Sequence, residues 1–242
     1  MQPGARSAQG PARASARAAR LWQHEAMTRP EIARGKPGAA ALRALDRSCP
    51  ALAAARRRVA PFPGFPEAGG PRTHFHALGR AIVHQQLAGA AARTIHDRVC
   101  ALAAGRGFPT AAEILELPDE RLRAAGLSGN KLLSLRDLAE RSLDGRLRLR
   151  SLGRLDDETV IEELIAVRGI GRWTAQMFLM FRLGRLDVLA PDDLGLQEGM
   201  KRLDGLAARP RPKELAARAE DWAPLRSVAS WVLWRLTEEP PG

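Results

Sequence analysis

The stretch Val167-Arg168-Gly169-Ile170-Gly171-Arg172-Trp173-Thr174-Ala175 decides how this chain folds and what it can hold. Two glycines flank one isoleucine between two segments of helical apolar spacing. Glycine tolerates positive φ and lets a backbone approach another group closely. The first amides of the second segment lack intrahelical acceptors, and the helix dipole adds partial positive charge there. Such a turn can hold an anion, a nucleic-acid phosphate included. Ile170 would plug the gap between the two helices. A contact of this kind touches phosphate and reads no bases. Gly-x-Gly alone favours a plain helix–turn–helix corner with a glycine C-cap. Downstream stands the carboxylate pair of Pro191-Asp192-Asp193.

Outward from the hairpin the spacing is helical from His76 onward, and no segment reads as a strand. The class is all-α, with roughly ten helices joined by short turns. Residues 39–58 read as one helix ending in Arg56-Arg57-Arg58, followed by a Pro/Gly connection from Pro61 to Pro71. Leu78 and Ile82 share a face of a helix reaching about Gln85, and Ala91, Ile95 and Val99 mark the next. Thr110 and Glu113 form a capping box that opens a short helix, closed by Leu117-Pro118. Ser128 caps a helix with Leu132, Leu135 and Leu138 in its stripe, ended by Asp144-Gly145. Asp156 or Asp157 starts the first hairpin helix. Trp173, Met177 and Phe181 are expected to form the apolar face of the second, which Gly184 stops. A loop over 186–193 precedes helices at about 194–203, from 213, and over 224–236.

Composition sets the outer bounds. A chain of 242 residues can bury a core without metal or disulfide support. Residues 1–38, rich in Ala, Arg, Gly and Pro, read as a disordered basic tail, and 39–242 as the folded domain. Met27 is an alternative start. The formal net charge is +11, but residues 1–58 hold 12 Lys/Arg against 3 Asp/Glu, so the excess is concentrated there. Cys49 and Cys100 stand far apart. Their spacing argues against a disulfide framework, a zinc site and a four-cysteine iron–sulfur cluster. No apolar run approaches the ~18 residues of a membrane helix, and the N-terminus lacks a signal-peptide core. These features read as cytosolic.

Four ordered stretches resemble the helix-hairpin-helix DNA glycosylases, most closely the 3-methyladenine DNA glycosylase II group. They are Ala81-Ile82-Val83-His84-Gln85-Gln86-Leu87, then Gly126-Leu127-Ser128 with Lys131, the hairpin Gly169–Ala175, and Pro224-Leu225-Arg226-Ser227-Val228-Ala229-Ser230-Trp231. The likeness covers about residues 39–238. It implies a two-lobed helical domain with the active-site cleft between the lobes. The activity implied is removal of alkylated purines from double-stranded DNA after base flipping, by a monomer in the bacterial cytoplasm, at the nucleoid.

The resemblance also assigns roles. Asp193 is the catalytic carboxylate, because an ionised acid beside C1′ stabilises positive charge on the deoxyribose and can orient water. An alkylated purine is already cationic and leaves without strong acid help, so one carboxylate suffices where ordinary sugars use two. Asp193 also fits an N-cap, and the two roles are compatible. Gln86 is the plug that fills the gap left by the flipped base. Trp173 is the base platform, its electron-rich face suiting a cation. Gly169, Gly171, Arg172 and Thr174 contact the DNA backbone. The carbonyls of Ile165, Val167 and Ile170 hold a structural Na⁺ or K⁺, and no catalytic cofactor is implied. Relatives that also cut the strand carry lysine where this chain has Trp173, so a monofunctional enzyme is implied. Ala88 and Leu225 depart from the family's usual Ser and aromatic. Two other readings stay open: a sibling glycosylase for another lesion, and a non-catalytic DNA-binding hairpin module.

Overall fold

The computed structural model describes residues 35–65, 73–105 and 107–238. The tail expected over 1–38 therefore lies almost wholly outside the described residues, as does much of the Pro61–Pro71 connection. Among the described residues are twelve α-helices, two 3₁₀ turns and no strand. The chain divides into two compact units. Met1–Gly64 and Arg185–Gly242 form one, and Phe65–Gly184 the other.

The first unit begins with α1 (Ala39–Ser48) and α2 (Pro50–Arg58). A single helix was expected here. It breaks at Cys49, which takes φ −138° and ψ 85°, because a residue before proline is pushed out of the helical region. Pro50 then starts the next helix, where its missing N–H costs nothing.

The second unit runs α3 (His74–His84), α4 (Gly89–Cys100), α5 (Ala111–Glu116), α6 (Asp119–Ala124) and α7 (Gly129–Leu143). A 3₁₀ turn (Leu149–Arg154), α8 (Asp157–Ile165) and α9 (Arg172–Phe181) complete it. The expected caps form: Thr110 and Glu113 make the reciprocal box, Ser128 Oγ accepts from Lys131 N, and Asp156 accepts from Thr159 N. Leu78, Ile82, Leu135, Leu138, Leu164 and Leu179 are fully buried. Each such side chain contributes roughly 1.5–3 kcal/mol. The helix α6 escapes sequence reading because six residues carry no stripe, only the one buried Leu122.

Two expected faces are met only in part. On α4 the buried row is Ala92 and Val99, and Ala91 is exposed. On α9 the buried row is Ala175, Phe178 and Leu179, while Trp173 is 47% and Phe181 39% exposed. The second hairpin helix thus buries its Ala175–Phe178–Leu179 side and turns the Trp173–Phe181 row outward.

The first unit resumes with α10 (Leu194–Asp204), α11 (Pro212–Arg218), a 3₁₀ turn (Ala219–Trp222) and α12 (Arg226–Glu238). Here α10 lies tightly on α12. A Cβ on Gly199 would stand 2.5 Å from the Leu233 carbonyl oxygen, so only glycine permits this approach.

Candidate active site

The hairpin of the second unit is made by backbone. Val167 and Ile170 are buried, and Ile170 N–H donates to the Val167 carbonyl at 3.1 Å, which tightens the turn. Gly169 has φ +75°, and a Cβ there would lie 2.4 Å from Ser134 Oγ. The turn is seated on α7: Asp137 Oδ2 accepts from Arg168 N at 2.7 Å, and Arg141 Nε holds both oxygens of Asp137 at 2.9 Å. Ile170 is the expected plug.

Gly171 differs from Gly169. Its φ −95° and ψ 172° are open to any residue, and an added Cβ would meet nothing within 4 Å. The fold does not need glycine at 171. What glycine leaves there is an α9 N-terminus with no side-chain cap and no bulk in front of it. An anion can approach such amides closely.

The loop after α3 is tied to this hairpin. Gln85 Nε2 donates to the Gly169 carbonyl at 2.8 Å. Lys131 Nζ donates to the Val83 carbonyl at 2.7 Å, and burial lowers the pKa of its amine. The Gly-Leu-Ser…Lys signature is therefore a brace that satisfies the end of α3. Gln86 is exposed with φ +54°, a left-handed conformation unusual for a residue with a side chain. Ala88 occupies the α4 N-cap and makes no side-chain cap bond, the loss expected from its departure from Ser.

Of the other hairpin residues, Trp173 presents its ring outward, and Arg172 is exposed with its Nη2 2.5 Å from Glu158 Oε1. The Thr174 side chain is buried, only 6% exposed, so any contact it makes with DNA runs through its backbone. The carbonyls of Ile165, Val167 and Ile170 offer oxygen alone, donor chemistry suited to an alkali cation. The Val167 oxygen accepts one N–H and retains a second lone pair.

In the first unit Asp193 is the N-cap of α10. Its Oδ1 accepts from Leu196 N at 2.8 Å and from the indole Nε1 of Trp234 at 3.0 Å. Capping and a second, side-chain bond thus fix one carboxylate oxygen. The loop leading to it is pinned along its length. Arg226 grips Asp187 through Nε at 2.7 Å and Nη2 at 2.8 Å. Ser227 Oγ accepts from Val188 N at 2.9 Å, and Gln197 Nε2 donates to the Pro191 carbonyl at 3.0 Å. The C-terminal signature Leu225-Arg226-Ser227 is thereby a clamp on the loop that carries the acid. Leu225 itself is fully buried in the core, and Leu194, beside Asp193, is 64% exposed.

Two residues with no part in the sequence reading above are Trp234 and Gly195. Both shape Asp193. A Cβ on Gly195 would lie 3.0 Å from Asp193 Oδ1 and 3.0 Å from Trp234 Cδ1. With Gly199 one turn on, it lets α12 bring the indole to the acid. The signal was present as Asp193-Leu194-Gly195 with Gly199, two glycines four apart on one helix face. Trp231 is buried and packs edge-on against Phe62.

Comparison with known proteins bears on these features. A family model described as "HhH-GPD superfamily base excision DNA repair protein" matches residues 80–225. DNA-3-methyladenine glycosylase 1 of Schizosaccharomyces pombe is 36% identical over 165 residues, covering 68% of this chain and 72% of that protein. The solved structure of the S. pombe 3-methyladenine DNA glycosylase Mag1 with abasic DNA matches with TM-score 0.65 at 36% identity, covering 69% of this chain and 82% of that one. A DNA-3-methyladenine glycosidase structure from Bacillus halodurans matches with TM-score 0.70 at 36% identity, covering 80% of this chain and 87% of that one.

Proposed function

Because the chain belongs to the HhH-GPD superfamily of base excision DNA repair proteins, we propose that it is an alkylbase DNA glycosylase acting on double-stranded DNA. It hydrolyses the N-glycosidic bond of alkylated purines of the 3-methyladenine type and leaves an abasic site. The observation that carries the reading is the fixed Asp193 carboxylate, held by Leu196 N and Trp234 Nε1. The damaged base must first leave the stack, at a cost of a few kcal/mol that damage itself reduces. Gln86 fills the vacated space, and the exposed Trp173 ring stacks on the cationic base. The amides at Gly171 and Arg172 hold the DNA backbone, and the Ile165, Val167 and Ile170 carbonyls would hold a structural Na⁺ or K⁺.

As the C1′–N bond breaks, its electron pair leaves with the purine and positive charge grows on the sugar. Asp193 stabilises that charge and orients the water whose oxygen then bonds to C1′. The water's proton passes to Asp193 and on to solvent. Trp173 has no amine, so no Schiff base forms and the strand stays intact. The enzyme works as a monomer where the cell's DNA is, in the cytoplasm. Among the described residues no helix is long and apolar enough to cross a membrane.

The test is chromatography of bases released from methylated DNA by wild type and Asp193→Asn, with a labelled duplex run beside it. Release of 3-methyladenine by wild type alone, without strand scission, supports the reading. Equal release by the variant, or scission without alkali, contradicts it.

A further inference from the structure

Four of the chain's five histidines fall between positions 74 and 96, and the function above uses none of them. His76 on α3 and His96 on α4 bring their Nε2 atoms to 3.1 Å. Cys100, one turn after His96 on the same helix, places Sγ 3.7 Å from His96 Nε2. One ligand atom from each of the three lies within 4.8 Å of the others. We propose that His76, His96 and Cys100 form a transition-metal site of zinc type that staples α3 to α4.

The chemistry of the donors selects the ion. Two imidazoles and one thiolate suit zinc and exclude the oxygen-seeking magnesium and calcium. Zinc bonds nitrogen at ~2.0–2.1 Å and sulfur at ~2.3 Å, which sets tetrahedral neighbours roughly 3.3–3.6 Å apart. The spacings present here need only small rotations to reach that. On binding, the Cys100 thiol proton goes to solvent, and the fourth position is left to water.

The surroundings hold the ligands in place. Asp97 Oδ1 lies 3.4 Å from His96 Nδ1, so its carboxylate can accept a hydrogen bond from Nδ1–H and leave Nε2 with the free lone pair for the metal. The Phe108 ring stacks on His76 at 5.1 Å and on His96 at 5.7 Å. Phe108 fits because position 79 is glycine, where a Cβ would stand 2.5 Å from that ring. His84 borders the group, its ring 5.8 Å from His96, with a buried Nε2 that has no hydrogen-bond partner. Cysteine spacing alone argued against zinc. The pattern missed there is His96-x-x-x-Cys100, a helical i, i+4 pair that meets a histidine from the preceding helix. The two stapled helices are those that flank the Gln86 loop, so the ion would stiffen the mounting of that loop.

The test uses the full-length chain, free of any affinity tag and stripped with a chelator. Zinc is titrated against a chromophoric chelator, and cobalt(II) serves as the spectroscopic probe. One equivalent of zinc is expected, with a thiolate-to-cobalt charge-transfer band. The melting temperature should rise by about 5–10 °C when free zinc is about 100 times its Kd. Cys100→Ser and His96→Gln should lose the stoichiometric site, Asp97→Asn should bind roughly 10-fold more weakly, and His74→Gln should bind as wild type. Melting in chelator shows whether each variant folds. If one does not, the wild-type cobalt band decides by itself. No zinc uptake by wild type, a cobalt complex without the thiolate band, or equal uptake by Cys100→Ser and His96→Gln overturns the site.

Discussion

The hairpin and the acid loop are built by opposite means. At the hairpin the working groups are backbone, and the informative residues are those with no side chain. At Asp193 the working group is a side chain, held by residues distant in sequence. Trp234, 41 positions on, bonds its Oδ1, and the Arg226–Asp187 pair spans 39 positions to pin its loop. A binding surface made of amides survives many side-chain changes. A carboxylate held by distant side chains does not, because each supporting bond is one substitution from loss.

That contrast can be broken at four positions, in falling order of effect. Asp193→Asn should lower single-turnover base release by roughly 10²–10³ and leave affinity for an abasic duplex unchanged. Gly169→Ala should fail in a different way. Its positive φ and the 2.4 Å approach to Ser134 Oγ strain the turn. A loss of about 1–3 kcal/mol would be read as a lower melting temperature, with DNA affinity falling alongside. Trp234→Phe keeps a six-membered aromatic ring and deletes the N–H to Asp193. About 1.5 kcal/mol, near tenfold, should come off kcat with KM little changed. A matching loss in KM would mean the indole supports packing and nothing else. Gly171→Ala should leave the melting temperature alone and weaken DNA binding by up to roughly tenfold, the worth of one amide hydrogen bond. Unchanged affinity there would remove phosphate from the hairpin's role.

The same contrast explains what could be read from the sequence. The hairpin was legible because its determinants are contiguous: Gly169, Ile170 and Gly171 stand in one string, and the turn they form is local. The caps at Thr110, Ser128 and Asp156 were legible for the same reason. Trp234 was not, since a tryptophan at helical spacing looks like core until the partner helix is in place. Gly195 and Gly199 gain meaning only when α12 lies against them. Asp137, which accepts from Arg168 N, is likewise an ordinary surface acid until α7 is set beneath the turn. The face of α9 was misread because Trp173, Met177 and Phe181 are more apolar than Ala175. The Trp173–Phe181 row is instead the more exposed one. The break at Cys49 was present in the sequence as Cys49-Pro50.

The most direct test of the account sets rate against affinity in one protein. Single-turnover release of 3-methyladenine and the Kd for an abasic duplex would be measured for Asp193→Asn, with melting temperature as the control. The account predicts a fall of roughly 10²–10³ in the rate constant at unchanged Kd and unchanged stability. Base release at the wild-type rate, in a variant that still binds DNA, would contradict it and leave the hairpin as a binding module alone.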